Sequence, residues 1–106
     1  MEMFTRVWIV GIVGSVRRRV VQNKVKTTFS VVVQYNPVKD DEGNVIDVLW
    51  FDCEGFIDEV RLRKGAHVDV KGRLRLKKYV NAGGEHVSVP SIVVREVTVL
   101  KDENTK

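Results

Sequence analysis

The chain has one cysteine in 106 residues, Cys53, so it cannot form a disulfide within itself. Its two histidines, His67 and His86, are distant from Cys53 and from each other and lack the short spacing of metal ligands. The sequence also lacks a Ser, His and Asp arrangement, paired carboxylates with a cleft signature, and a phosphate-cradling glycine motif. We therefore expect no metal site, no cofactor and no catalytic activity.

Long hydrophobic runs are missing as well. The longest, VWIVGIVGSV at residues 7–16, is about half the length of a bilayer span and leads directly into three arginines. It does not read as a signal peptide, because only Arg6 precedes it closely, no A-x-A cleavage site follows, and its residues alternate like a strand. The sequence predicts a cytoplasmic protein that does not associate with a membrane.

The chain does contain enough apolar residues for one core and two separate basic blocks. Hydrophobic residues make up 43% and charged residues 30% of the sequence, with a net charge of +4. Residues 1–35 and 66–80 are basic, whereas residues 36–65 are acidic. An anionic polymer fits this separation, because each neutralised phosphate releases condensed counterions. The alternative is that the charge runs are solvated strand faces.

Five segments have the composition of β-strands, because they are rich in Val, Ile, Phe, Thr and Trp and turn residues separate them. They span residues 5–14, 26–35, 45–54, 66–80 and 86–100. The connecting turns are Gln22-Asn23, residues 36–44 and the glycine-containing residues 81–84. FIDEVRLR at 56–63 is the one segment that favours a helix, a short one that ends at Lys64-Gly65.

Glycines inside the strands indicate a small closed sheet. Gly11, Gly14 and Gly72 cost stability unless the chain bends sharply there, as at a barrel corner. Pro90 removes a donor from the fifth strand, so we expect incomplete closure beside it. Five strands with a short helix between the third and fourth describe an all-β, five-stranded OB-fold, a Greek-key barrel. We predict this domain over residues 1–101 and a short disordered C-terminus at 102–106.

The fourth strand separates apolar from basic side chains with a period of two. The predicted inward set is Val68, Val70, Gly72, Leu74 and Leu76. The outward set is Lys71, Arg73, Arg75 and Lys77, followed by Tyr79. These cations would repeat about every 6.6 Å along the strand and form a basic track. The alternative is a charged hairpin edge that resists pairing with other chains.

The third strand adds aromatic residues. Trp50 and Phe56 share the outward parity with Asp52 and Glu54, while Cys53 has the inward parity of a core thiol. An exposed Trp is a candidate platform for base stacking, since every base has a π-face. The two acids count against this role unless Lys or Arg neighbours neutralise them. In the alternative, Trp50 caps the barrel or lies in a subunit contact.

The first strand is apolar on both faces, which predicts that its second face is covered. A subunit interface of a homo-oligomer that includes Trp8 is one interpretation, and cover by the helix or the fifth strand is the other. Candidate phosphate contacts directly after this strand are Arg17, Arg18 and Arg19. A surface loop would also tolerate these three arginines.

Several pieces of the chain, in the correct order, are similar to one known family. TRVWIVGIVG at 5–14 resembles an opening strand that commonly reads NKVILVGNLG, and RKGAHVDVKGRLRLKKY at 63–79 resembles RKGSxVxVEGxLRxRxW. The W-x-x-x-x-x-F spacing of Trp50 and Phe56 matches the third strand of the same proteins. The family is that of the bacterial single-stranded DNA-binding proteins, and the similarity covers residues 5–100.

The resemblance implies an OB-fold that coats single-stranded DNA in replication, recombination or repair, usually as a homotetramer. It implies base stacking on Trp50, Phe56 and Tyr79, with Tyr35 the nearest match to a further aromatic at the end of strand two. It also places Arg73, Arg75 and Lys77 in the basic strand that ends at the last stacking residue.

Two departures from the family concern the helix and the partners. The segment between Phe56 and Gly65 is shorter, so the helix should be truncated. The chain stops at KDENTK, without the Gly- and Pro-rich linker and acidic tip that recruit replication and repair enzymes. It is therefore expected to be a trimmed, phage or mobile-element form, or a dimer like primosomal replication protein N. The alternatives to strand protection are an adaptor for replication proteins, as in that relative, and an RNA-binding OB domain.

Overall fold

The computed structural model describes residues 5–33, 39–44 and 49–101, so the expected C-terminal tail at 102–106 lies outside it. Its strands are β1 (Val7–Val21), β2 (Lys24–Val33), β3 (Leu49–Gly55), β4 (His67–Val80) and β5 (His86–Lys101). They form a closed barrel in the order β1-β2-β3-β5-β4. The neighbours pair antiparallel except β3 and β5, which run parallel. The predicted five-stranded OB-fold is confirmed.

β1 is longer than predicted, because it passes through the three arginines and ends at Val21. Its first half pairs with β4 and its second half with β2, so one strand serves two parts of the barrel. The turn that follows has φ of 51° at Gln22 and 64° at Asn23, which suits a tight two-residue hairpin. The arginines consequently lie on alternate faces of a strand and not in a loop.

The core draws on all five strands and on the connection between β3 and β4. Its buried hydrophobic members are Ile9, Val13, Phe29, Val31, Val33, Cys53, Leu62, Ala66, Val68, Val70 and Ile92. Burial raises the pKa of Cys53 to about 12, and the negative charge of Asp52 adds to the effect. The thiol therefore stays protonated near neutral pH, as expected of a core residue and not of a nucleophile.

The short helix expected at residues 56–63 is wrong, because the chain makes turns there. Leu62 and Ala66 each donate their N–H to the carbonyl three residues earlier, at 3.1 and 3.0 Å. Leu62 is fully buried. Two backbone hydrogen bonds join this segment to β1: the N–H of Gly65 donates to the carbonyl of Val13, and the N–H of Val13 donates to the carbonyl of Ala66. So short a helix has little stability of its own, and packing against the barrel decides its conformation. No helix among the described residues is long and apolar enough to cross a membrane.

The incomplete closure expected beside Pro90 is wrong, because the barrel closes immediately after it, although Pro90 itself lies on an edge of β5 within the described residues. β3 and β5 pair through Asp52–Glu54 and Ser91–Val93. Pro90 lies opposite Leu76, in a part of β5 that pairs with β4 alone within the described residues. The missing N–H of the proline therefore costs no bond of the closing pair.

Beyond the barrel, β4 and β5 continue as a two-stranded arm, defined here as residues 75–80 and 86–90. Leu74 and Leu76 were predicted to point inward, yet both are exposed, Leu76 by 61%. The reason is topological: within the described residues β1 pairs with β4 only as far as Gly72, so no barrel wall lies behind Leu74 or the arm that follows it. Alternation assigns a side to each residue but does not say where the barrel ends.

Two of the strand glycines lie where backbones approach closely. A Cβ on Gly11 would lie 2.2 Å from the carbonyl oxygen of Val32, and one on Gly72 would lie 2.2 Å from that of Val93. Such distances exclude any side chain without a backbone shift. Gly72 also adjoins a register shift between β4 and β5, consistent with the bends that the sequence indicated.

Candidate nucleic-acid interface

Strand register brings candidate side chains of β1, β2 and β3 to one outward surface. Ser30 of β2 pairs with Ser15 and Asp52, and Thr28 pairs with Arg17 and Glu54. Paired residues point to the same side of a sheet. Trp50 and Arg19 have the parity of these rows, so they belong to the same surface.

The basic row of β4 shares this surface. Residues of β5 link the two strands. Ser91 pairs with Asp52 of β3 and with Arg75 of β4, and Val93 pairs with Glu54 of β3 and with Arg73 of β4. We call the combined surface the groove face. It consists of Arg17, Arg19, Thr28, Ser30, Trp50, Asp52, Glu54, Arg73, Arg75 and Lys77.

A groove of about 380 Å³ lies in the groove face. Its lining includes the cations Arg17, Arg19 and Lys77, the hydroxyls of Ser15, Thr28 and Ser30, and Asp52. Lys77 comes from the arm, whereas the other groups come from β1, β2 and β3. The arm and the barrel are therefore two walls of one channel, and cations lie on both. Hydroxyl and cationic groups of this kind are donors to phosphate oxygens and sugars.

The indole of Trp50 packs against a glycine of β1. A Cβ on Gly14 would come within 2.5 Å of Cζ3 and 2.8 Å of Cη2 of the indole. Gly14 is the extra residue of a bulge, since the β1–β2 register shifts between Val13 and Ser15. The indole is 59% exposed. One part of the ring thus lies on the backbone while the remainder is open to solvent, as base stacking requires.

The other two predicted stacking residues are exposed as well. Phe56 follows β3, and the Nζ of Lys24 lies 5.9 Å from its ring centroid. Tyr79 lies on the arm and has the parity of Lys77, two residues before it. Neither ring is enclosed in the core. The fourth aromatic candidate, Tyr35, lies outside the described residues.

Glu54 is the residue whose environment the sequence pattern did not predict. Its parity is outward, yet it is only 4% exposed. Three cations surround its carboxylate: Arg75 at 2.7 Å, Lys26 at 3.6 Å and Lys77 at 3.8 Å. The acid that counted against phosphate binding is thus paired with bases. The sequence held one signal of this environment: Lys26 has the same parity as Thr28, the residue that pairs with Glu54, so both point to the same side of the sheet.

The three consecutive arginines divide between two environments. Arg17 and Arg19 line the groove. Arg18 points the other way, and its Nη2 donates to the carbonyl of Glu59 at 2.8 Å and to that of Leu62. Arg18 thereby ties β1 to the connection between β3 and β4, whereas its two neighbours remain at the groove.

Lys71, at the start of the predicted basic track, lies beside the other tryptophan. The indole N–H of Trp8 donates to Asp69 at 2.8 Å, and the Nζ of Lys71 lies 5.1 Å from the ring centroid. Trp8, Val10 and Ile12 are exposed on this part of β1, and we call them the Trp8 face. Arg73 shares an open groove of about 760 Å³ with Trp8 and Lys71. The basic row therefore runs from the Trp8 face to the arm.

An OB-fold barrel with open aromatic rings and a channel between cationic walls is a single-strand nucleic-acid-binding architecture. The model of the Single-strand binding protein family matches residues 4–100. The chain belongs to this family, which confirms the resemblance seen in its first, third and fourth strands. No curated protein matches the chain.

Several solved structures share the fold over nearly the whole chain. The SSB of Plasmodium falciparum in complex with ssDNA has a TM-score of 0.76 and 16% identity, over 95% of this chain and 98% of that one. The small single-stranded DNA-binding protein of Streptomyces coelicolor has a TM-score of 0.70 and 19% identity, over 92% of this chain and 95% of that one. The mitochondrial single-stranded DNA-binding protein Rim1 of S. cerevisiae has a TM-score of 0.69 and 20% identity, over 95% of this chain and 99% of that one. At such identities the likeness concerns the fold.

Proposed function

We propose that this chain binds single-stranded DNA without sequence preference and protects exposed strands during replication, recombination or repair. The observation that carries the proposal is the indole of Trp50, which is exposed beside Gly14 on the same face as a groove with cations on both walls. A ring face stacks on any base, and a cation contacts any phosphate, so neither reads base identity. Membership of the single-strand binding family supports the same function.

Within this function we assign stacking to three aromatic residues, Trp50, Phe56 and Tyr79. We assign phosphate contacts to Arg17, Arg19, Arg73, Arg75 and Lys77. Lys71 and Arg18 have other partners, Trp8 and the carbonyls before β4, so we assign them no primary DNA contact. Tyr35 stays a sequence prediction.

The test is a fluorescence titration with oligo-dT, oligo-rU and duplex DNA at two ionic strengths. A Trp8→Phe variant leaves Trp50 as the only indole, so quenching then reports on the groove alone. We expect oligo-dT to quench, with an affinity that falls as salt rises by a log–log slope of roughly 0.7 per phosphate contact. Equal or tighter binding of oligo-rU would support an RNA-binding domain instead. Quenching by none of the three polymers would refute the proposal.

We also propose a homo-oligomer in which a second copy pairs with β1. Val7–Gly11 pairs with β4 on one side and with no strand on the other, within the described residues. Trp8 and Val10 are exposed on this stretch. An open strand edge with apolar side chains is a template for another strand, and a two-fold axis makes the contact self-complementary.

Light scattering tests the oligomer and reads out a dimer or a tetramer as mass. A Val10→Lys variant places a charge on the Trp8 face, and we expect it to be monomeric. Leu76→Lys is the matched control, because Leu76 is equally apolar and exposed but lies on the arm. If the wild type and the Val10 variant have the same mass, and that mass exceeds the monomer's, the interface does not lie on β1.

For the remaining properties we propose a cytoplasmic protein that acts by binding and not by catalysis. The strand-like alternation of residues 7–16, the longest hydrophobic run, supports the location. Family membership supports replication or repair proteins as secondary partners, and the strand itself is the principal ligand.

A further inference from the structure

Glu54 connects the two walls of the groove face. Its carboxylate, with a side chain only 6% exposed, lies on β3. Lys26 approaches it from β2, whereas Arg75 and Lys77 approach from β4, the strand that continues into the arm. One buried negative charge therefore faces three positive charges, and two of those belong to residues assigned to DNA phosphates.

The contacts have the character of exchangeable ion pairs. The Nη2 of Arg75 lies 2.7 Å from Oε1 of Glu54, but that oxygen accepts no hydrogen bond, so the guanidinium approaches off-axis. The two lysine distances, 3.6 and 3.8 Å, exceed hydrogen-bond length. The side chains of Arg75 and Lys77 are also about half exposed, so solvent or an incoming phosphate reaches them from outside.

Asp52 supplies the internal contrast. It has the same outward parity, two residues before Glu54, and it lines the groove. Unlike Glu54 it is exposed, and it makes no ion pair within the part of the chain that the structure describes. The arm cations therefore converge on one particular carboxylate and not on every acid of the face.

We propose that Glu54 is an internal substitute for a DNA phosphate. It holds Arg75 and Lys77 while the groove is empty, and it yields them to the strand when DNA binds, with Lys26 remaining beside it. A carboxylate and a phosphodiester carry the same single negative charge and offer oxygen acceptors to the same donors. The inference rests on the proposed function, and Glu54 acts through its cations without touching DNA.

The exchange restrains affinity. Each ion pair with Glu54 must open before its cation is available to a phosphate, and the cost is subtracted from the gain of the new contact. Removing the carboxylate frees the cations in advance. A variant without the competition should therefore bind single strands more tightly, with the same set of phosphate contacts.

A matched pair of variants separates this exchange from a simple change in net charge. Glu54→Gln and Asp52→Asn each remove one negative charge from the same face of β3, but only the first removes the ion pairs. We expect the Glu54 variant to bind oligo-dT about three- to tenfold more tightly, the range expected for two part-exposed pairs. Its salt slope should stay within about 0.7 of the wild-type slope, because Arg75 and Lys77 contact phosphates in both complexes. The Asp52 variant should also tighten binding, because it removes a charge that repels phosphates from the groove, but by less than the Glu54 variant, since no cation is released.

A Glu54→Asp variant tests the same idea without any change in charge, and it remains useful if the Gln variant does not fold. The shorter side chain withdraws the carboxylate from the arm, so tighter binding is expected again. Arg75→Ala should also cost more affinity in the Glu54→Gln background than in wild type. In that background Arg75 has no ion pair with residue 54 to break before it contacts DNA.

Two results would overturn the inference. Equal effects of Glu54→Gln and Asp52→Asn would reduce Glu54 to one charge among others. Weaker binding by a Glu54 variant that melts at the wild-type temperature would mean that the carboxylate arranges the cations for DNA and does not compete with it. Failure of the proposed function is a separate result, since wild type would then not bind oligo-dT at all.

Discussion

The two tryptophans of this protein are alike in exposure and different in surroundings. Trp8 is 67% and Trp50 59% exposed, and both lie on outward strand faces. The indole N–H of Trp8 is bonded to Asp69, and Lys71 lies over its ring. Trp50 instead lies on the backbone of Gly14, with no cation–π partner within the described chain.

The difference shows that exposure alone does not identify a stacking residue. The ring of Trp8 already contacts a cation, and it adjoins Val10 on a stretch of β1 that, within the described residues, pairs with β4 alone. Those neighbours suit another protein surface. Trp50 lies beside Gly14 and the Ser30 hydroxyl, on the face that carries the groove cations, and hydroxyl and cationic groups suit a sugar–phosphate chain. The same side chain therefore supports two different contacts, according to what lies within a few ångströms of it.

The largest expected effect is on DNA affinity when each ring is removed in turn. Trp50→Ala should cost about 1–3 kcal/mol of binding free energy, because a base loses its stacking platform. Trp8→Ala should cost less per bound protomer, since its ring is already occupied. Titration with oligo-dT, followed by fluorescence anisotropy of a labelled oligonucleotide, measures both. Equal losses would erase the distinction between the two rings.

A smaller effect should follow from changing what lies under Trp50. Gly14→Ala places a methyl group 2.5 Å from the indole and forces the ring away from the sheet. We expect about 1 kcal/mol of lost affinity, the lower end of what a stacked base contributes, and a shifted indole emission spectrum. The Trp8→Phe background isolates that emission.

Gly83→Ala is the control for this change, because a Cβ there would meet only Asn81 Oδ1, at 3.5 Å. In a Trp50→Ala background the Gly14 substitution should have no further effect on affinity. A loss that persists in that background would mean that Gly14 acts through the barrel and not through the ring.

The smallest expected effect concerns one cation of the groove and one cation beside Trp8. Arg19→Ala should flatten the dependence of log affinity on log salt by roughly 0.7, because one phosphate contact is lost. Lys71→Ala should leave the slope unchanged, since Lys71 lies over Trp8. Arg18→Ala is a second control on the adjacent residue, and it should lower the melting temperature without changing the slope. A slope change for Lys71→Ala would extend the DNA path onto the Trp8 face.

Local alternation was a reliable guide wherever a barrel wall lies behind the strand. The burial of Phe29 and Val31 in β2 and of Cys53 in β3 was predictable from a period of two. The turn at Gln22-Asn23 was predictable for a similar reason, because its backbone requires residues that accept positive φ. The same logic failed at Leu76, where the strand leaves the barrel and neither face meets a core.

The amino-acid sequence by itself determined the strand faces, the turn and the family motifs, because each depends on residues that are close in the chain. Tertiary structure alone decided that Trp50 lies on Gly14, that Glu54 faces cations of β2 and β4, and that 56–63 is not a helix. Each of these outcomes arises between segments distant in sequence. Barrel closure selects such partners through register and curvature, and no local pattern encodes them.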